Sequence, residues 1–171
     1  LIFGNEHTAL TEKTQPHPLS IYGEAKLVAE QEVQKELSDA LIVRMGGFFG
    51  GCEKDKNFVG KFAVILAKKI MEGITEIPVG DRVWQPTYTK DIAENCVLLL
   101  KENKIGTYHM ASHGSASFFD VATAMVEILG IDKKITIIKM PSENYKEDAK
   151  RPIRAVMENK RLQEEGLDRM R

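Results

Sequence analysis

Helix-like and strand-like segments alternate along the whole chain, and this alternation restricts its possible folds more than any other feature. Residues 21–37 are rich in Ala, Glu, Lys and Gln, and Leu27, Val28, Val33 and Leu37 recur at helical spacing. Residues 40–45 (Ala-Leu-Ile-Val-Arg-Met) form a short apolar run with β-branched members, the pattern of a buried parallel strand. Further on, Asn57 can cap a helix that runs to Met71 and stops at Gly73. Residues 76–79 read as a weaker strand, Thr89 can cap a helix through Leu100, and 107–111 read as another strand. Ser117 and Asp120 form a capping-box-like pair before a helix ending at Gly130. Residues 135–138 are a short β-branched strand, and 159–165 a last short helix. Strands separated by helices are joined by crossovers, which argues for an α/β fold with parallel strands.

At 171 residues the chain can bury one core. Net charge is -1, so nothing points to nucleic acid or an anionic membrane as partner. The longest apolar stretch, 58–71, is broken by Gly60, Lys61, Lys68 and Lys69 and is too short and polar to span a bilayer. Cys52 and Cys96 have no metal-like spacing and read as free thiols of a reducing compartment, the cytoplasm. The four histidines suggest no metal site, and His109, on a strand, reads as a core residue. The chain opens without Met on Leu1-Ile2-Phe3-Gly4, the pattern of a buried strand's end. It is therefore expected to be the C-terminal portion of a longer protein.

The stretch Pro18-Leu19-Ser20-Ile21-Tyr22-Gly23-Glu24-Ala25-Lys26 carries the chemistry. Tyr22 and Lys26 lie one helical turn apart on one face. A free phenol has a pKa near ~10 and is a poor acid at neutral pH. A neighbouring ammonium stabilises the phenolate, and such a pair can pass a proton to a carbonyl oxygen while hydride reaches its carbon. Most Tyr and Lys at this spacing are accidental surface neighbours, so the context has to carry the assignment.

That context resembles the extended short-chain dehydrogenase/reductases, and within them the dTDP-4-dehydrorhamnose reductase group. The likeness covers nearly the whole chain. It rests on Leu1-Ile2-Phe3-Gly4, Thr11-Glu12, Pro16-His17-Pro18, the Tyr22–Lys26 helix, Arg44 to Gly50, and Asn57-Phe58-Val59. It continues through Asp81 to Pro86-Thr87-Tyr88, Gly106-Thr107-Tyr108-His109, Ser117-Phe118-Phe119 and Arg151-Pro152, all in order.

The resemblance implies the C-terminal part of a Rossmann-like parallel sheet, ending near residue 50, with a small substrate-binding α/β subdomain mainly over 51–171. It implies NADP or NAD as cofactor, a nucleotide-sugar substrate and a possible homodimer. Tyr22 would donate a proton to the sugar carbonyl, and Lys26 would hold the nicotinamide ribose, with Met45 and Gly46 beside the cofactor. Asn57, Phe58, Arg82, Trp84 and Arg151 would meet the substrate. Asn57 reads first as a helix cap that can also face substrate, Arg82 as a diphosphate contact or a surface residue, and Trp84 as a stacking face or a core anchor. Arg151 reads as a diphosphate clamp or one half of a buried ion pair. The glycine-rich dinucleotide segment and the family's Ser/Thr are absent from these residues; Gly46, Gly47, Gly50 and Gly51 have the wrong spacing for that fingerprint. The group's Trp after Arg-Thr-Ser is also missing, since Arg44-Met45-Gly46-Gly47 stands there. Two other activities share the Tyr-Lys helix, namely nucleotide-sugar epimerases and dehydratases. A non-catalytic dinucleotide-binding regulatory subunit, as in the methionine adenosyltransferase beta subunit, shares the architecture.

Overall fold

The computed structural model describes residues 2–5, 8–141, 144 and 149–171. Helix α1 spans Ile21–Glu36. Ser20 starts it: its backbone is extended and its hydroxyl accepts the Gly23 N–H at 3.2 Å. The chain then enters β1 (Leu41–Met45), which pairs in parallel with β6 (Gly106–Met110), Arg44 opposite His109. Side chains alternate between the two faces of this pair. One face carries Leu41, Val43, Tyr108 and Met110, packed with Ile92 and Leu99 of α3 (Thr89–Lys101) and Leu162 of α5 (Lys160–Glu164). The other face carries Arg44, His109 and Ala111, and there Ile2, Phe3, Leu10 and Met157 form a second core that Leu27 of α1 joins.

A second α/β layer follows the same logic. Strand β3 (Glu76–Gly80) pairs in parallel with β8 (Thr136–Met140), Ile77 opposite Ile137. Helices α2 (Phe58–Met71) and α4 (Phe118–Ile128) bury Phe62, Leu66, Ala122 and Val126 against Ile77, Val79 and Ile135. Short pairs stitch the layers together. Strand β2 (Phe48–Phe49) runs parallel to β5 (Thr87–Tyr88), and β4 (Val83–Trp84) runs antiparallel to β7 (Ala116–Ser117).

The α/β class with parallel pairing thus holds, and one antiparallel pair departs from it. The short strands were not foreseen because two residues carry no alternation to read. The Ser117–Asp120 capping box forms in both directions. Two expected caps do not form: Asn57 stands at the start of α2 and Tyr88 at that of α3, and neither side chain makes a capping bond. Before α2, the Asp55 carboxylate takes the Asn57 N–H at 2.8 Å instead. Thr89 is already inside α3, one residue past the capping position. Of the expected opening strand, Leu1 lies outside the described residues. Ile2 and Phe3 are buried but belong to no strand among the described residues.

Candidate active site

Two polar tethers set the direction of α1. Arg44 Nε and Nη2 both donate to Glu30 Oε2, at 2.9 and 2.7 Å, and Gln34 Nε2 donates to Thr107 Oγ1 at 3.1 Å. Thr107 is the register partner of Ile42, so α1 descends as β1 ascends. Gly23, Leu27, Glu30 and Gln34 make one stripe that faces the sheet. Tyr22 and Lys26 flank that stripe on the open side. Tyr22 is 57% exposed, and Lys26 Nζ lies 5.5 Å from its ring centroid. The pair the sequence singled out is therefore together and open to solvent.

The C-terminal ends of parallel strands form the ligand-binding edge of open α/β sheets. Here that edge holds Met45, which is exposed, and Gly46, whose N–H donates to Met110 O at 3.2 Å. A Cβ at Gly46 would lie 3.1 Å from Thr87 Oγ1 and 3.3 Å from Ala111 Cβ, so the strand ends are closely packed. Thr87 links them: its hydroxyl donates to Gln85 O and accepts the Ser112 N–H, each at 3.1 Å. At Gly47 a Cβ would fall onto the Trp84 ring, and Gly50 has φ 130, so this turn admits glycine far better than any other residue. Beside it opens a cleft of about 380 Å³ lined by Phe49, Pro86, Tyr88, Asp91, Ser112 and Arg171.

Trp84 is buried. It stacks on Phe118 at 5.1 Å and meets Phe58 edge-on at 6.2 Å between ring centroids. Of its two sequence readings, the core anchor describes where the indole sits. Phe58 belongs to the same aromatic cluster and Asn57 is exposed one residue before it. Arg82 is half-buried and its carbonyl accepts the Phe118 N–H at 3.1 Å. Arg151 is exposed, which removes the buried ion pair as its reading. Its segment runs beside β4, with Val83 N–H donating to Ile153 O at 3.0 Å and Ala155 N–H to Val83 O at 3.2 Å. Arg82 and Arg151 thus come from adjoining stretches. Met45 and Gly46 lie on the sheet edge, and Phe58 and Trp84 in the aromatic cluster.

Several supporting side chains escaped sequence reasoning. Gln85 donates to Ser112 O and Met157 O, each at 2.9 Å, and its Oε1 accepts the Met157 N–H at 2.6 Å. Asn159 bonds both backbone groups of Ala111, at 2.9 and 2.8 Å. His109 is buried as expected. Its Nδ1 lies 3.2 Å from Leu10 O, while Nε2 has no hydrogen-bond partner among the described residues. Burial pushes this imidazole below its ordinary pKa; Arg44 adds to the shift, while Glu12 and the Leu10 carbonyl oppose it. Burial likewise raises the Cys96 thiol. Among the described residues no group of His, Cys, Asp and Glu is placed to hold a metal ion, and no described helix is long and apolar enough to cross a membrane.

Comparison with known proteins places this arrangement. Residues 2–171 match the family model described as the RmlD substrate binding domain. The chain is 30% identical over 162 residues to the spore coat polysaccharide biosynthesis protein SpsK of Bacillus subtilis, covering 90% of this chain and 54% of that protein. It is 27% identical over 174 residues to methionine adenosyltransferase 2 subunit beta of Danio rerio, covering 97% of this chain and 52% of that one. The crystal structure of dTDP-4-dehydrorhamnose reductase from Bacillus anthracis in complex with NADP superposes with a TM-score of 0.88 at 26% identity, over 99% of this chain and 58% of that one. The chain spans about half the length of these relatives. With a family model matched from residue 2 to residue 171, the chain belongs to the RmlD substrate binding domain family.

Proposed function

We propose that the protein reduces a keto group on a nucleotide-activated sugar with NADPH or NADH, and that Tyr22 is the proton donor. The observation that carries this reading is the exposed Tyr22 ring with Lys26 Nζ 5.5 Å from its centroid, on the open side of α1. The cofactor supplies the hydride. Tyr22 gives its phenolic proton to the carbonyl oxygen as the carbon is reduced, and Lys26 stabilises the phenolate left behind.

These residues fit the nicotinamide end of a dinucleotide. A phenol and an ammonium stand exposed together, and Met45 is open at the strand edge. Lys26 would hold the ribose, and Met45 and Gly46 would border the nicotinamide. The diphosphate end needs a glycine-rich turn that residues 1–171 do not contain, so this chain alone binds dinucleotide weakly and turns nothing over. Residues 1–50 complete the cofactor half and 51–171 receive the sugar nucleotide. Arg82 and Arg151, from adjoining stretches, face its diphosphate, and Asn57 and Phe58 border its sugar or base, with Trp84 packed behind Phe58.

The test is oxidation of NADPH and of NADH, followed by absorbance, when the full-length protein meets several dTDP-4-keto sugars. Consumption with at least one sugar is expected. Tight cofactor binding with no consumption across the set would instead support a second reading, a dinucleotide-binding regulatory subunit. That alternative is favoured by the likeness to the methionine adenosyltransferase subunit and by Met45-Gly46-Gly47 where the reductases place an aromatic.

A further inference from the structure

Helix α1 is held by few contacts. Gly23 is its one buried residue, and Val28, Val33 and Leu37 at its end are exposed. Among the described residues, the stripe through Leu27, Glu30 and Gln34 ties it to the sheet. The two tethers agree in scale: four helical residues rise about 6 Å and two strand residues about 6.6 Å. Extending that line upward, Lys26 stands about 6 Å and Tyr22 about 12 Å beyond the level of Glu30. Met45 ends β1 one residue past Arg44, so both groups project above the sheet edge.

Glu30 and Arg44 are well shielded, with side chains 17% and 13% exposed. Arg44 Nε and Nη2 converge on one carboxylate oxygen, its guanidinium carbon lies 5.5 Å from the Phe3 ring centroid, and its Nη1 is buried with no hydrogen-bond partner among the described residues. Its register partner His109 is an imidazole that burial disfavours from charging, so Arg44 faces no competing cation there. Two N–H groups of one planar guanidinium converging on a shielded, charged oxygen fix where the tip of Glu30 sits, and so which side of α1 faces β1.

We propose that Glu30 and Arg44 are positioning residues whose ion pair sets the rotation of α1 about its axis, aiming Tyr22 and Lys26 at the sheet edge. The proposal rests on the reductase reading for its catalytic consequence. Side-chain tips lie about 5–6 Å from a helix axis, so a turn of about 20° moves them about 2 Å. A misplacement of about 1 Å can cost about 10²-fold in rate.

The experiment uses the full-length protein with Glu30→Ala, the isosteric Glu30→Gln, and the reversed pair Glu30→Arg with Arg44→Glu, each confirmed folded at the assay temperature. Glu30→Ala is expected to lower kcat by about 10²-fold with KM for the sugar nucleotide within about threefold, and the reversed pair to recover about tenfold of that loss. Because Glu30→Gln keeps the shape of the side chain, it stands in if the alanine variant does not fold. A part that served stability alone would lower Tm and leave kcat per folded molecule unchanged, and that result overturns the proposal. So does a folded reversed pair with no recovery. If the wild-type protein turns over none of the sugars, the reductase reading has failed by itself. The ion pair is then judged by amide exchange: about tenfold faster exchange across 22–29 in Glu30→Gln, with α3 unchanged, supports it, and equal protection overturns it.

Discussion

Replacing Gly60 with alanine separates two forces that point in opposite directions. Gly60 lies in the first turn of α2, where alanine is the better helix former by about 1 kcal/mol. Propensity alone therefore predicts a more stable protein. The structure predicts the reverse. A Cβ at Gly60 would overlap the carbonyl oxygen of Asp55 and sit 2.7 Å from Asp55 Cβ and 2.8 Å from its carbonyl carbon. Two of those three atoms are backbone, so no rotamer change relieves the clash, and the start of α2 must move away from residue 55. Overpacking of this kind costs about 1–3 kcal/mol, enough to reverse the propensity gain. For a chain this long each kcal/mol shifts Tm by about 2–4 °C. The displacement also reaches the glycine turn, because Asp55 accepts the Gly50 N–H at 3.2 Å and the Asn57 N–H at 2.8 Å. Urea unfolding gives the assay, with a lower midpoint at unchanged slope expected. Gly73→Ala is the control: φ there is +70 with open space around it, so its cost is conformational, about 1–2 kcal/mol. A Gly60→Ala protein as stable as its parent, or more so, would refute the packing argument.

Two further outcomes follow from single groups. Ser117→Ala removes the capping box of α4, in which Ser117 Oγ accepts the Asp120 N–H at 3.0 Å and Asp120 Oδ2 accepts the Ser117 N–H at 2.8 Å, and should cost about 1 kcal/mol in chemical denaturation. Hydrogen bonding to the Asp120 carboxyl from Ser117, its side chain first and its N–H second, holds that carboxyl below the usual carboxylate range. Its contribution is therefore complete above that range and is lost as pH falls through its depressed pKa. His109 is depressed too, by burial first, so the unfolded chain takes up a proton that the folded one resists. Stability should fall as pH drops below the ordinary histidine range, and the slope should flatten in His109→Gln; parallel slopes for the two proteins would contradict this.

Much of the fold could be read from the sequence where a period was long enough to repeat. The helical run after Ser20, the β-branched run before Gly46 and the Ser117–Asp120 pair all became elements within a residue or two of their expected ends. The two-residue strands had no period, and the competing Asp55 carboxylate that displaced Asn57 as a cap is visible only in three dimensions. The Tyr22–Lys26 pair was legible because helical spacing alone brings the two groups together. Glu30 and Arg44 were not, since a contact across 14 residues depends on how α1 lies on the sheet. Gln85 is harder still: it fixes Met157, 72 residues away, and an isolated glutamine gives no hint of a partner. Trp84 could be read two ways from sequence, and the ring stack with Phe118 shows where it went.

The proton relay itself is tested most directly by single-turnover hydride transfer from C4-deuterated NADPH to a dTDP-4-keto sugar, in the full-length protein and its Tyr22→Phe variant. Deuterium is expected at the former carbonyl carbon, with a rate about 10²–10⁴-fold lower in the variant and cofactor affinity unchanged. Transfer at the parental rate without the Tyr22 hydroxyl would contradict it.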